Sequence, residues 1–232
     1  MRLYYDFHIH SALSPCADRD MTVNNIMQMS RLKGLDAVSV CDHNCAANLR
    51  AAEAAAGKAG VLFLPGIEVN TAEEVHVLAY FKDIESACGF GEMIYGALPD
   101  IKNNEQIFGQ QLVMDENDNV LGKMEKLLIS AVPFSIGECV RLIGEYGGCA
   151  VPAHINREAN SVLGNLGFLP ADIRFTALEV MEDRPAGEDL SKYTLLHSSD
   201  AHFLGDISEK KNYIEEKNRS AASIVDTLLT NL

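Results

Sequence analysis

The sequence predicts an α/β protein in which parallel strands are covered by helices, either as a barrel or as an open doubly wound sheet. Two observations carry this. Short apolar stretches alternate with stretches of helical spacing along most of the chain. The 232 residues, 47% of them hydrophobic, suit one domain spanning residues 1–232 with a sizeable core.

"LYYDFHIH" (3–10) predicts a first strand, and "MTVNNIMQMSRLKG" a helix closing on Gly34. "LDAVSVCDH" (35–43) is a second strand, and "CAANLRAAEAAAGKAG" an alanine-rich helix with a glycine stop. "VLFLPGIEVN" (61–70) and "EEVHVLAYF" (73–81) are two further strands. Residues 82–130 interrupt the rhythm. Within them "QQLVMDENDNVLGKMEKL" predicts a β-hairpin insertion around residues 105–125, a kind of excursion that often forms a lid or rim. Alternation resumes with helix "SIGECVRLIGEYGG" and strands "CAVPAHI" (149–155), "ALEVMED" (177–183) and "YTLLHSSDAH" (193–202), before a C-terminal helix. That makes about seven core strands. The sequence has no glycine-rich phosphate loop and no internal repeat.

Composition narrows the function classes. The formal net charge of −14 argues against a broad basic surface for nucleic acid. Anionic substrates stay open, because divalent metals invert the field of the acids that bind them. No run approaches the roughly 18 apolar residues of a membrane span. The N-terminus reads as a strand rather than a leader, so the expectation is a cytoplasmic protein with no membrane contact. The six cysteines (Cys16, Cys41, Cys45, Cys88, Cys139, Cys149) form no paired CxxC knuckles and read as reduced packing thiols.

The informative residues are the histidines. There are seven: His8, His10, His43, His76, His154, His197 and His202. Most lie at or near the C-terminal ends of expected strands, as does Glu68 in "GIEVN"; His76, inside a strand pattern, is the less tidy case. Strand C-termini of an α/β barrel converge on one mouth, so these groups would meet in one cavity. Alternate residues of a strand share a face, which pairs His8 with His10 and Asp200 with His202. Asp6 and Asp42 are candidates to orient imidazoles, the alternatives being a capped or solvated strand aspartate and a polar rim residue. Imidazole and carboxylate donors suit zinc, manganese or iron. They outnumber the needs of one ion, so two or three ions bridged by Glu68 is the economical arrangement.

"DFHIHS", "SVCDHN", "GIEVN", "EVHVLAYF", "VPAHI" and "SSDAH" resemble, in order, the motifs of the PHP (polymerase and histidinol phosphatase) family, over residues 4 to about 206. The resemblance implies a distorted seven-stranded (β/α)7 barrel with a trinuclear metal site and phosphoesterase activity. It implies that His8, His10, Glu68 and Asp200 hold one metal, and that His43 and His202 hold a second with an acidic residue from the loop after "HIH". Glu68, His76 and His154 would hold a third, leaving His197 structural. Family members often read "HSxxSDG"; here the aspartate position is Pro15. The loop looks about three residues longer, which puts Asp18 in the ligand role, with Asp20 and Cys16 as competitors. "AHIN" replaces the usual "AHP".

The implied chemistry is hydrolysis of a phosphoester in a small phosphorylated metabolite or nucleotide by a metal-activated hydroxide. Glu68, Asp200 and His202 are the candidate catalytic residues, with His202, Asp200 or water as the leaving-group acid. Arg157 and Arg184 are candidate phosphate clamps. The alternatives are a nuclease acting on ends of short oligonucleotides, a non-catalytic metal-binding regulatory module, and amide hydrolysis on a related barrel.

Overall fold

The computed structural model describes residues 1–181 and 189–230. Strand β1 (Arg2–Ile9) leads to helix α1 (Val23–Leu32), whose first turn is capped by Thr22 accepting from the Asn25 amide. The helix closes at Lys33, one residue before Gly34, which takes the left-handed φ of +77°. Strand β2 (Ala37–Val40) and helix α2 (Leu49–Ala59) follow, and α2 stops at Gly60 with φ +73°. The expected strand 61–70 is two strands, β3 (Leu62–Phe63) and β4 (Gly66–Asn70). Pro65 lies between them and has no N–H to continue a ladder. Strand β5 (His76–Tyr80) returns beside β4.

Helix α3 (Ile84–Ala97) was not expected from the sequence. Its "IESACGFGEMIYGA" carries three glycines and apolar residues on several sides, so no clean 3.6-residue stripe marks it. A short helix α4 (Glu105–Phe108) precedes the expected hairpin, β6 (Leu112–Met114) with β7 (Val120–Lys123). Helix α5 (Ile136–Glu145) starts on a capping box between Ser135 and Glu138. Then come β8 (Cys149–Pro152), α6 (Val162–Leu166), β9 (Ala177–Glu179), β10 (Thr194–Leu196), β11 (Tyr213–Glu215) and α7 (Ala221–Leu229).

The strands match the expected α/β class, but the distorted seven-stranded (β/α)7 barrel is not seen as one sheet among the described residues. They form separate sheets, none closed: β11-β1-β2-β3, β4-β5-β8, β9-β10 and the β6-β7 hairpin. β1-β2, β2-β3 and β9-β10 pair in parallel, but β5 runs antiparallel to both β4 and β8, and β11 antiparallel to β1. The reason is local. A tight turn over 71–75, closed by the Thr71 amide donating to the Val75 carbonyl at 3.0 Å, leaves no chain for a crossover helix between β4 and β5.

Single bridges tie the sheets together at one end: Ile9 with Ala201, and His43 with Glu68. The Ile155 amide likewise donates to the Glu179 carbonyl at 2.9 Å. Apolar residues then fill both sides of the strands. In β4 and β5, Ile67, Val69, Val77 and Ala79 enter one cluster, and Leu78 and Tyr80 the other.

The insertion packs on the loop that follows β1. Gly109, at φ +98°, lies so close that an added Cβ would sit 2.2 Å from the Pro15 carbonyl oxygen. Gly109→Ala therefore combines a backbone clash with a disfavoured φ and is expected to cost about 1–3 kcal/mol in urea unfolding. An unchanged midpoint would contradict this packing. Among the described residues no helix is long and apolar enough to cross a membrane.

Candidate metal centre

The centre is built where the sheets are bridged. In β4, Ile67 and Val69 point into the core, so alternation turns Glu68 the other way. Its carboxylate is fully buried. Five imidazoles surround it: His76 Nδ1 at 2.8 Å, His43 Nδ1 at 3.0 Å, His8 Nε2 at 3.2 Å, His154 Nε2 at 3.3 Å and His10 Nε2 at 3.4 Å. Antiparallel pairing explains His76. It opens β5 opposite Asn70, the last residue of β4, so the start of a reversed strand lies beside the ends of the others.

Asp200 closes the opposite side, with Oδ1 3.1 Å from His10 Nε2 and 3.3 Å from His8 Nε2. His202 turns its Nδ1 to the Asp200 carbonyl at 2.7 Å, leaving Nε2 for the cavity. Asp200 (φ +53°) and His154 (φ +29°) both hold left-handed backbone that non-glycine residues rarely adopt. Strain of this kind persists only where the surroundings over-determine it.

An outer layer fixes the rings. Glu179, buried, accepts from His8 Nδ1 at 3.0 Å and from the His154 amide at 2.9 Å. Ser14 Oγ donates to Asp42 at 2.7 Å and so accepts from His10 Nδ1 at 3.0 Å. Asp6 accepts from Ser199 Oγ at 2.6 Å and from the Ser208 amide at 2.8 Å, clamping the segment that carries Asp200 and His202. Thus the protons of His8 and His10 are drawn to Nδ1, and both Nε2 atoms face inward, 3.2 Å apart. The sequence singled out Asp6 and Asp42 to orient imidazoles, but neither touches one: Asp6 holds the Ser199 and Ser208 backbone, and Asp42 reaches His10 only through Ser14, which with Glu179 was not foreseen. The signal for Glu179 was a carboxylate alternating with Leu178 and Val180 in "ALEV".

The electrostatics follow from this crowding. Burial opposes charge on Glu68, but His76, His8 and His43 outweigh it and hold the carboxyl well below the usual range. Burial likewise opposes ionised Asp200, and His8 and His10 hold it low. Burial depresses His8, but Glu179, Glu68 and Asp200 raise it well above its ordinary value.

The donor set fits divalent ions. Neither Glu68 oxygen completes a hydrogen bond, nor does His43 Nδ1, His76 Nδ1 or either ring nitrogen of His154. Buried polar atoms without partners are costly, and here they converge on shared points. Ligand atoms of three triads lie within 4.8 Å of one another: His8, His10 and Asp200; His10, His43 and His202; His43, Glu68 and His76.

The remaining candidates fall differently. Asp18 is exposed, and its carboxylate accepts from the Asp20 amide at 2.8 Å instead of entering the cluster. Asp20 is exposed too. Cys16 lines the cavity with His43, Glu68, His76 and His202. Burial pushes its thiol up, but hydrogen bonds to His202 and His43 outweigh this and bring it down to about 5. Arg157 reaches the rim and bonds Asp200 Oδ2 at 2.9 Å. Arg184 lies outside the described residues. His197 Nδ1 donates to the Val180 carbonyl at 3.0 Å, away from the cluster. The cavity over the cluster is about 320 Å³. Hollows of about 620 and 610 Å³ lie elsewhere, so chemistry rather than size marks the site.

No protein-family model matches the sequence, and no curated protein does. Solved structures do match. A lesion-specific endonuclease Q from Pyrococcus furiosus is 20% identical with a TM-score of 0.70, covering 98% of this chain and 56% of the endonuclease. An endonuclease Q bound to a 27-mer duplex with an abasic lesion at its active site gives 18% and 0.73, over 99% of this chain and 57% of that one. The chain thus spans a little over half the length of these endonucleases. A protein from Bifidobacterium adolescentis described as a metal-dependent phosphoesterase gives 18% and 0.61, over 98% and 96% of the two chains. A two-domain protein from Bacteroides vulgatus, containing a predicted PHP-like metal-dependent phosphoesterase, gives 16% and 0.55, over 98% and 62%. The chain has the fold of the PHP-like metal-dependent phosphoesterases.

Proposed function

We propose that the chain hydrolyses a phosphoester in a small phosphorylated metabolite or nucleotide with two to three divalent ions of zinc, manganese or iron. His8, His10, His43, Glu68, His76, His154, Asp200 and His202 would hold them. The observation that carries this is the buried Glu68 carboxylate, ringed by five imidazoles with neither oxygen in an aligned hydrogen bond. We read the chain as one domain and its bridged sheets as a distorted barrel.

When bound, such ions lower the pKa of water and neutralise charge on phosphate oxygens. The chain's own groups supply the rest. Glu179 and Ser14 hold two imidazoles in the tautomer that binds through Nε2. Arg157 keeps a guanidinium at the rim, where phosphate oxygens suit its fork as well as Asp200 does. His202, with Nδ1 committed to the Asp200 carbonyl, has Nε2 left for a ligand or for a proton to the leaving group. The 320 Å³ cavity and net charge of −14 favour a compact substrate.

A second reading is supported by the likeness to endonuclease Q, one example of which is bound to duplex DNA. In that reading the substrate is an oligonucleotide. Both are tested by assaying metal-reconstituted protein, beside His8→Ala, on phosphomonoesters, nucleotides, short oligonucleotides and duplex with an abasic site. The expected result is turnover of a small phosphoester, slowed at least about 100-fold in the variant, since losing only an outer partner of a ligand costs 10–100-fold. Turnover confined to nucleic acid selects the second reading. Equal rates for wild type and variant on every substrate would overturn both.

A further inference from the structure

We propose that the Cys16 thiolate, rather than an aspartate, completes a site with His10, His43 and His202, and that this site takes a thiophilic ion, zinc or its analogue cobalt(II). The inference rests on the metal-binding reading of the centre and names the ligand and metal class of one part of it.

The loop after β1 sets up the geometry. Ser11 Oγ and Ser14 Oγ both donate to Asp42, at 2.6 and 2.7 Å, and the Ala17 amide closes onto the Ser14 carbonyl at 3.0 Å. Ser14 Oγ also accepts from His10 Nδ1 and from the His43 backbone amide at 3.2 Å, so the loop is tied to two of the three histidines. Gly109 braces the outside of the loop at Pro15. The turn brings Cys16, the exposed thiol of the loop, to the mouth of the cavity, which it lines with His43 and His202. Asp18 is turned away: its amide donates to the His202 carbonyl at 2.9 Å, while its carboxylate serves Asp20.

A separate observation points to a ligand at this place. Nitrogens of His10, His43 and His202 gather within 4.8 Å of one another, and the first two of these side chains are buried. Three imidazoles and one thiolate make a tetrahedral N/S set of the kind zinc adopts. A thiolate disfavours manganese, magnesium and calcium, which prefer oxygen donors. The sulfur would bind as the thiolate, any proton still on it passing to solvent. Cys41, Cys45, Cys139 and Cys149 are buried free thiols outside this cavity.

The test is cobalt(II) titration of the full chain, kept reduced with a phosphine, for wild type, Cys16→Ser, Cys16→Asp and Asp18→Asn. Wild type is expected to show a near-ultraviolet sulfur-to-cobalt charge-transfer band. Cys16→Ser is expected to lose the band and to hold one ion about 10–100-fold more weakly. Cys16→Asp is expected to hold that ion without the band, and Asp18→Asn to match wild type. The inference is overturned if wild type binds two or more cobalt ions with no band. It is also overturned if the band survives in Cys16→Ser, or if Asp18→Asn alone loses the ion. If no cobalt binds at all, the metal-binding reading falls and this inference with it; cobalt bound without sulfur removes this inference alone.

Discussion

Glu68→Gln is expected to remove at least one ion from the centre and to lower kcat/KM by about 1,000-fold or more. The carboxylate lies within 3.4 Å of five imidazole nitrogens, so it touches most of the cluster. An amide keeps the shape but supplies one neutral oxygen where the carboxylate offers two anionic ones. A single misplaced electrostatic group costs about 100- to 1,000-fold at a preorganised site, and here the ligand set is lost as well. Metal counting and steady-state kinetics on one sample check it. Unchanged stoichiometry would contradict the central role of Glu68.

The same substitution has a signed pH consequence in metal-free protein. His43 is depressed by burial, but Glu68 and the Cys16 hydrogen bond raise it well above the ordinary value. An imidazole raised on folding contributes stability that is full below its unfolded value, about 6.5, and lost as pH rises through the folded value. Glu68→Gln should therefore destabilise the metal-free chain most below about pH 6.5, with the deficit shrinking as pH climbs, and the His43 NMR titration should move down.

Asp6→Ala is the substitution with the largest expected effect on stability. Asp6 is fully buried and accepts from Ser199 Oγ, the Ser199 amide at 3.0 Å and the Ser208 amide. Truncation strands these donors, at about 1–3 kcal/mol for each left unsatisfied. A total loss of about 3–5 kcal/mol is expected in urea unfolding, with weaker metal binding, because the clamp on the Asp200–His202 segment goes with it. Asp6→Asn should not rescue, since its amide would present hydrogens to donors. Wild-type unfolding and metal affinity in Asp6→Ala would contradict the clamp.

Much of the candidate centre was legible because side chains that converge in space sit mostly at or near strand ends in sequence. His8 lies in β1 and His10 just past its end, His43, His154 and Asp200 follow β2, β8 and β10, and Glu68 is the middle residue of β4. His76 resisted that logic, since a strand end identifies the mouth only when its direction is known, and β5 is reversed. Strand direction also explains why a parallel barrel was expected and antiparallel pairs were found; the 71–75 turn was too short for a crossover, a clue present in the spacing. Glu179 and Ser14 were missed because supporting residues have no spacing of their own. They act through contacts 171 and 4 residues away, at His8 and His10. Cys16 and Asp18 are two residues apart in a loop, where local turn hydrogen bonds rather than periodicity decide which side chain enters the cavity.

The most direct test of the account is to count metals and measure phosphoester hydrolysis on one preparation, before chelation, after chelation and after adding zinc, manganese or iron back. The account predicts two or more ions per chain, loss of both ions and turnover on chelation, and recovery of both together. Hydrolysis that persists in chelated protein carrying less than one ion per chain would contradict it.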